Sequence, residues 1–359
     1  MKATLVLQNG LVMQGVSVGA AGTALGEVIF TTGMAGFEET LTDPGYAGQI
    51  VAQTYPMVGN YGITREDMVS DRIWAKGYIV REACEVPSNF RCKTTLDAFL
   101  KEQNVVGIQG IDTRRLTRVL RDEGTMNGAI TTEYDSMSDE AKQQLLADIA
   151  AYSAKEAALA AAPTQTRVLN ESGALHVAML DFGCQNGIAD ALAQRGCKVT
   201  VLPGVSGIAQ LAGMNYDGLV VGDGAGDPAW QPVDPAALRT VLESGKPFIG
   251  IGLGHELAAL AFGAKLIKMQ HGHHGANKPV TATESGKIYT TNQNCGFMVD
   301  AASLPADAKV AFKDTKDGSC AGVEYAHGFT VQFQPRMDGG SRGTDHLYDE
   351  FIAKIKGVH

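Results

Sequence analysis

Residues 246–262 read KPFIGIGLGHELAALAF, and this stretch decides the fold of the second half of the chain. The apolar run KPFIGI predicts a buried strand, and the leucines and alanines that follow predict a helix. Glycines at positions 250, 252 and 254 mark a tight turn between the two, because glycine tolerates backbone conformations that crowd a Cβ atom. A buried strand that turns sharply into a helix is typical of a parallel α/β sheet.

The same alternation of strand and helix precedes this stretch. LHVAMLDF (175–182), CKVTVLP (197–203) and DGLVVGDG (217–224) are strand-like, and helical segments separate them. Strands this apolar are expected in a central, mostly parallel sheet that helices cover on both faces. The glycine-rich segments GDGAGDP (222–228) and GIGLGHE (250–256) fall at strand ends, where open α/β sheets bind their ligands.

The first half of the chain has a different pattern, with short strand-like runs between glycines. Thr4–Leu7, Glu27–Phe30 and Gln49–Gln53 are such runs, and one helix is expected near Thr95–Gln103. This pattern predicts a mixed α+β domain.

An alanine-rich segment, residues 136–162, joins the two halves and predicts one or two helices. Ser153 and Glu156 have the spacing of a capping box, and the polar stretch PTQTRVLNESG (163–173) contains a helix-stopping proline. We therefore expect an amino-terminal domain at 1–150, a helical or linker segment at 151–173, and an α/β domain at 174–359.

Composition excludes several classes of protein. A length of 359 residues suits two ordinary domains, and a net charge of −9 offers no basic face for nucleic acid. The six cysteines are scattered without a C-x-x-C pair, which indicates reduced thiols. The amino terminus lacks the long apolar run of a signal peptide or membrane helix, so we expect a soluble cytoplasmic protein that does not bind membranes.

Motifs along nearly the whole chain resemble the small subunit of carbamoyl-phosphate synthetase, a class I glutamine amidotransferase. The first half carries two stretches like the family's own amino-terminal domain, and the second half carries five in the order of its amidotransferase domain. They are GEVIFTTGMAGFEETLTDPGYAGQIVAQTYPMVGNYG (26–62), GIDTRRLTRVLRDEGTMNGAI (110–130), DFG (181–183), GDPA (226–229), LGHELAALAFGAKLIKM (253–269), GHHGANKPV (272–280) and QNCGFMVDAASLPA (293–306).

The resemblance implies a fold and an activity. In this family the small subunit hydrolyses glutamine and passes the ammonia to a large subunit, which makes carbamoyl phosphate from bicarbonate and ATP. It implies a large-subunit partner, a place in pyrimidine and arginine biosynthesis, and no cofactor in this chain.

The catalytic triad implied by the resemblance is degenerate. A cysteine on the strand-to-helix turn should attack the amide carbon, a histidine should activate it, and a glutamate should orient the histidine. The family motif G-I-C-L-G-H-Q has Gly252 here in place of its cysteine. The H-P-E motif reads Gln334, Pro335 and Arg336, so no catalytic residue is predicted.

The glutamine pocket implied by the resemblance is also altered. A serine is replaced by Gly45, a glutamine by Glu256, a histidine by Cys295, and the N-G-P-G turn begins with Asp223. The new charges suggest a rebuilt pocket, and we predict an ion pair between Glu256 and Arg336. The pocket positions by resemblance are Gly45, Gly224, Gly226, Leu253, Glu256, Asn294, Cys295, Gly296 and Phe297.

Several other features have a functional and a structural interpretation. Cys295 is either a relocated nucleophile or a buried small thiol, and HGHHG (271–275) is either a metal site or a structural loop; we favour the structural interpretation of both. His255 is expected to satisfy groups at a helix end, and His346 is expected on the surface. GDGAGDP lacks the lysine of a phosphate-binding loop, so no nucleotide site is predicted.

Three functions remain open. The first is a small subunit that has lost hydrolysis and docks on a large subunit for synthesis from free ammonia. The second is a free-standing binding or regulatory pseudoenzyme whose altered pocket takes another small molecule. The third, residual glutaminase activity through an unrecognised nucleophile, requires every missing role to be refilled.

Overall fold

The structure is a computed structural model that describes residues 1–335 and 343–357. The chain has a mixed α/β fold and divides into two compact units, Met1–Ala157 and Ala158–His359. No helix in the described ranges is long and apolar enough to cross a membrane.

The strands and helices of the described residues follow in chain order. The strands are β1 (Lys2–Leu7), β2 (Val12–Gly19), β3 (Thr23–Thr31), β4 (Gln49–Gln53), β5 (Gly77–Val80), β6 (Val106–Gln109), β7 (Met126–Thr131), β8 (Arg167–Leu169), β9 (Leu175–Phe182), β10 (Cys197–Pro203), β11 (Gly218–Gly224), β12 (Phe248–Ile251), β13 (Leu266–Ala282), β14 (Ile288–Val299), β15 (Lys309–Asp314), β16 (Cys320–Tyr325) and β17 (Gly328–Val331). The helices are α1 (Phe37–Thr42), α2 (Leu96–Glu102), α3 (Thr113–Glu123), α4 (Asp139–Ala151), α5 (Lys155–Ala160), α6 (Asn186–Gln194), α7 (Gly204–Leu211), α8 (Pro235–Leu242), α9 (Leu253–Ala261) and α10 (His346–Ile355).

The first unit is a closed barrel with the strand order β1-β2-β6-β5-β4-β3-β7. Its strands are apolar on both faces, as β4 shows: Ile50 and Ala52 pack into one buried cluster, while Val51 packs into another. Alternate residues of a strand point to opposite faces, so an uninterrupted apolar run is required where both faces are covered.

The second unit is built on a ten-stranded sheet with the order β14-β13-β15-β16-β17-β12-β11-β9-β10-β8. Five neighbouring strands, β10, β9, β11, β12 and β17, run parallel, and the other pairings are antiparallel. The sheet is therefore mixed, because the long β13–β14 hairpin and its neighbours extend one edge of the parallel centre. The predicted parallel strands form that centre.

The segment predicted as a linker contains regular structure. It holds α5 and β8, and β8 pairs antiparallel with β10 at the edge of the sheet. The capping residue of the preceding α4 is Ser138, whose hydroxyl accepts from the Ala141 N–H, rather than Ser153. A short strand with exposed side chains lacks the apolar pattern that reveals a buried strand.

Candidate functional site

The strand-to-helix turn of the second unit is centred on Gly252, which lies between β12 and α9. Its backbone has φ 56° and ψ −116°, a region that strains any residue with a Cβ atom. Its N–H donates to the Val331 carbonyl at 2.9 Å, which continues the pairing of β12 with β17. Its carbonyl accepts from the His255 N–H at 3.0 Å, which starts the helix. The predicted turn is therefore formed without its cysteine.

The carboxylate of Asp223 fills the space beside Gly252. A Cβ atom placed on Gly252 would clash with Oδ1 and Cγ of Asp223 and would lie 2.7 Å from Oδ2. Asp223 belongs to β11, which pairs with β12, so the two strand ends lie side by side. No side chain at position 252 can coexist with this arrangement of Asp223.

Backbone donors hold this carboxylate in place. Asp223 Oδ1 accepts from the N–H of Leu253, the first residue of α9, at 2.9 Å and from the N–H of Gly224 at 2.8 Å. Two N–H groups that converge beside a nucleophile position can stabilise the oxyanion of acyl transfer. Here they bind a carboxylate of the same chain, so the predicted pocket residues Leu253 and Gly224 are engaged internally.

Gln334 completes this arrangement. Its Nε2 donates to Asp223 Oδ2 at 3.2 Å, and its Oε1 accepts from Asn292 Nδ2 at 2.8 Å. A glutamine amide does not exchange protons near neutral pH, so it cannot act as the base that a histidine would provide. Asn292, Gln334, Asp223 and the Leu253 N–H form one continuous hydrogen-bonded chain.

A second buried acid, Glu256, lies in the first turn of α9. Gln332 Nε2 donates to its Oε1 at 3.0 Å. Burial raises the pKa of Glu256 well above its usual value, and the nearby charges of Asp223 and Asp227 raise it further. The predicted ion pair with Arg336 falls outside the described residues, as does the Arg336 position of the triad.

Asp223 and Asp181 are acids of the same kind. Burial raises the pKa of Asp223, against the opposing effect of the hydrogen bonds from Leu253, Gln334 and Gly224. Burial also raises the pKa of Asp181, against the hydrogen bonds from the Cys184 and Gly183 N–H groups. The site therefore concentrates acids in surroundings that disfavour their charged forms.

The remaining predicted pocket positions divide between the two units. In the second unit, Gly226 has φ +84° and packs against Trp230, and Asn294 Oδ1 bonds the Nδ1 atom of His274 at 2.7 Å. Gly296 and Phe297 follow on β14. Gly45 belongs to the first unit, in a short 3₁₀ turn where its N–H donates to Asp43 Oδ1 at 2.9 Å.

Cys295 is buried on β14 opposite His273. Burial raises the pKa of its thiol well above the usual value, and the Glu256 charge raises it further. A thiol that resists ionisation is a poor nucleophile, so these surroundings favour the structural interpretation.

We expect Cys295 to resist alkylation in the folded protein. Cys84 and Cys92 are partly exposed and serve as internal controls. Iodoacetamide labelling followed by peptide mass spectrometry should modify these two while Cys295 stays unmodified until denaturant is added. Rapid labelling of Cys295 that glutamine slows would instead identify a nucleophile.

The histidines of HGHHG lie on β13. The Nε2 atom of His273 is 2.9 Å from Asp317 Oδ2, and its Nδ1 atom is 3.1 Å from Gln293 Oε1. His273, Asp314 and Asp317 place ligand atoms within 4.8 Å of one another, so these residues could hold a metal ion. Both ring nitrogens already face protein oxygens, however, and a metal would have to replace one of these contacts.

Two other histidines can be placed in the described structure. The prediction that His255 satisfies groups at a helix end is wrong, because its Nδ1 bonds Thr330 Oγ1 on β17 at 2.7 Å and its Nε2 has no partner in the described ranges. Burial lowers the pKa of His255 to about 3, so the ring is neutral. His346 begins α10, partly exposed, 5.5 Å from the ring of Tyr289 and 3.6 Å from Glu350.

Full-length similarity settles the family. The small chain of carbamoyl phosphate synthase from Neisseria meningitidis serogroup A is 40% identical, over 99% of this chain and 98% of its own length. The chain belongs to the carbamoyl-phosphate synthase small-chain family. The small chain from Pseudomonas syringae pv. tomato, also 40% identical, is matched over 98% of this family member and 97% of its own length.

Two family models divide this small-chain relative. The model described as "Carbamoyl-phosphate synthase small chain, CPSase domain" matches residues 5–130, and "Glutamine amidotransferase class-I" matches residues 178–354. Among solved structures, a putative GMP synthase glutaminase-type protein from Thermoplasma acidophilum is 22% identical with a TM-score of 0.45, over 51% of this chain and 94% of that one.

Proposed function

We propose that this small-chain family member does not hydrolyse glutamine and acts as a docking or structural subunit for a large carbamoyl-phosphate synthase chain that works from free ammonia. One observation carries the proposal: the Asp223 carboxylate fills the side-chain space at position 252 and accepts from the Leu253 and Gly224 N–H groups. A substrate oxyanion would have to displace a carboxylate that three donors hold.

The large-chain partner comes from the family. Matches cover 97–98% of the relatives' lengths, and the model specific to the small chain covers residues 5–130 of the first unit. A chain that retains this unit while its hydrolytic positions are replaced is suited to assembly rather than to chemistry. The chain itself requires no cofactor in this role.

Two assays test the proposal. The purified full-length chain should release no ammonia from glutamine, while the 40% identical Neisseria small chain serves as the positive control. The chain should also co-purify with the large chain encoded in the same genome, and the complex should make carbamoyl phosphate from ammonium chloride but not from glutamine. Glutamine-dependent synthesis by this complex would overturn the proposed loss of hydrolysis, and failure to bind would overturn the docking role.

A free-standing pseudoenzyme with a remodelled pocket is the second candidate. The buried Glu256–Gln332 pair favours it, because this pair adds recognition chemistry close to the filled turn. A chain that binds no large chain but is stabilised by a small molecule would support this candidate over the first.

A further inference from the structure

The Gln332–Glu256 pair leaves an acceptor unused inside the protein. Gln332 is 3% exposed, and its Nε2 donates to Glu256 Oε1 at 3.0 Å. Its Oε1, in the same planar amide, has no hydrogen-bond partner among the residues described. A buried carbonyl without a donor costs free energy on the order of 1–3 kcal/mol, so a ligand that supplies a donor is favoured there.

The charges around this carbonyl are acidic. Within the described part of the chain, Glu256 is influenced by the charges of Asp223 and Asp227, and Asp223 by that of Asp181. No described lysine, arginine or histidine forms an ion pair with Glu256 or Asp223. The site thus offers acceptors and negative charge without a matching cation.

Only one class of small ligand satisfies both features. It must be positively charged and must carry several N–H donors, because the site presents the Gln332 carbonyl and the Glu256 carboxyl. A divalent metal would need about six or more oxygen ligands, many more than these two groups provide. An ammonium group carries three or four donors on one compact atom.

We propose that the Gln332–Glu256 site binds a small ammonium cation, either ammonium itself or the head group of a primary amine. This inference deepens the proposed function, since it assigns a ligand to a pocket that no longer uses glutamine. The bound cation satisfies Gln332 Oε1 and neutralises Glu256.

Thermal unfolding of the full-length chain tests the site. Sodium chloride would be replaced at constant ionic strength by ammonium chloride, methylammonium chloride or potassium chloride. Potassium is close to ammonium in size but has no N–H donors. At saturating ammonium we expect the midpoint to rise by about 3 °C or more above that in potassium chloride. A methylammonium effect as large as that of ammonium would assign the site to amines in general.

Two variants locate the effect. Gln332→Met removes the unpartnered carbonyl at similar size, and Glu256→Gln removes the charge while keeping an acceptor for Gln332 Nε2. Both should abolish the difference between ammonium and potassium, whereas the exposed control Glu85→Gln should retain it. Equal shifts in ammonium and potassium, a difference that survives in Gln332→Met, or a shift produced by acetate instead would overturn the proposal. Glutaminase and large-chain binding assays do not depend on this result, so failure of the site and failure of the proposed function are distinguishable.

Discussion

Restoring a cysteine at position 252 should unfold the turn rather than revive it. In Gly252→Cys the new Cβ atom clashes with the Asp223 carboxylate, which must then leave the Leu253, Gly224 and Gln334 donors. Loss of these buried bonds and a non-glycine residue at φ +56° should together cost about 3 kcal/mol or more of unfolding free energy. Urea unfolding followed by the fluorescence of Trp230, in a Trp74→Phe background, measures this cost in the second unit.

Companion variants separate the clash from the backbone strain. Gly252→Ala should cost about as much as Gly252→Cys, since the Cβ atom is the cause. Gly245 also has positive φ but open space around its Cβ position, so Gly245→Ala reports strain alone, about 1 kcal/mol. Adding Asp223→Ala to Gly252→Cys should recover about 1–3 kcal/mol as coupling energy. Wild-type stability in Gly252→Ala would show that the carboxylate does not fill this space.

The same contacts bear on activity. We expect Gly252→Cys with Gln334→His to remain inactive towards glutamine, because Asp223 still accepts from the two N–H groups needed for an oxyanion. Only variants that also replace Asp223 would leave those donors available to a substrate.

The sequence predicted the turn and the replaced residues, but not how the replacements fit together. The run 246–262 predicts β12 and α9 because their periodicity is local. Asp223 was recognised as an intruder, yet its position beside Gly252 depends on the pairing of β11 with β12, which no spacing along the chain encodes. Two glycine-rich strand ends in neighbouring strands were the available signal.

Two larger features were missed for a related reason. The barrel of the first unit is closed by pairings between distant segments, such as β1 with β7, and short strands alone do not specify partners. The β13–β14 hairpin carries polar residues and register shifts that interrupt alternation, so its length is hidden in the sequence. Gln332 escaped notice because one glutamine among others has no motif.

The buried acids should make the second unit less stable as pH rises. Burial raises the pKa values of Glu256, Asp223 and Asp181, so above the unfolded value near 4.5 for Glu256 the folded state holds protons that the unfolded chain releases. Each such proton lowers unfolding free energy by about 1.4 kcal/mol per pH unit until the folded pKa is reached. His255 and His274 act oppositely: burial lowers their pKa values to about 3, so their contribution is lost as pH falls below about 6.5.

Glu256→Gln isolates the acid contribution from that of the histidines. Near pH 4 the wild-type carboxyl is protonated in both states, and the variant should match it because glutamine has a similar shape and still accepts from Gln332. By pH 8 to 9 the variant should be more stable than wild type by about 1–3 kcal/mol, since it has no proton to lose on unfolding. Urea unfolding of both proteins across this pH range, with the exposed Glu85→Gln as control, measures the difference. A constant difference at all pH values would mean that Glu256 is ionised in the folded state and that another cation already neutralises it.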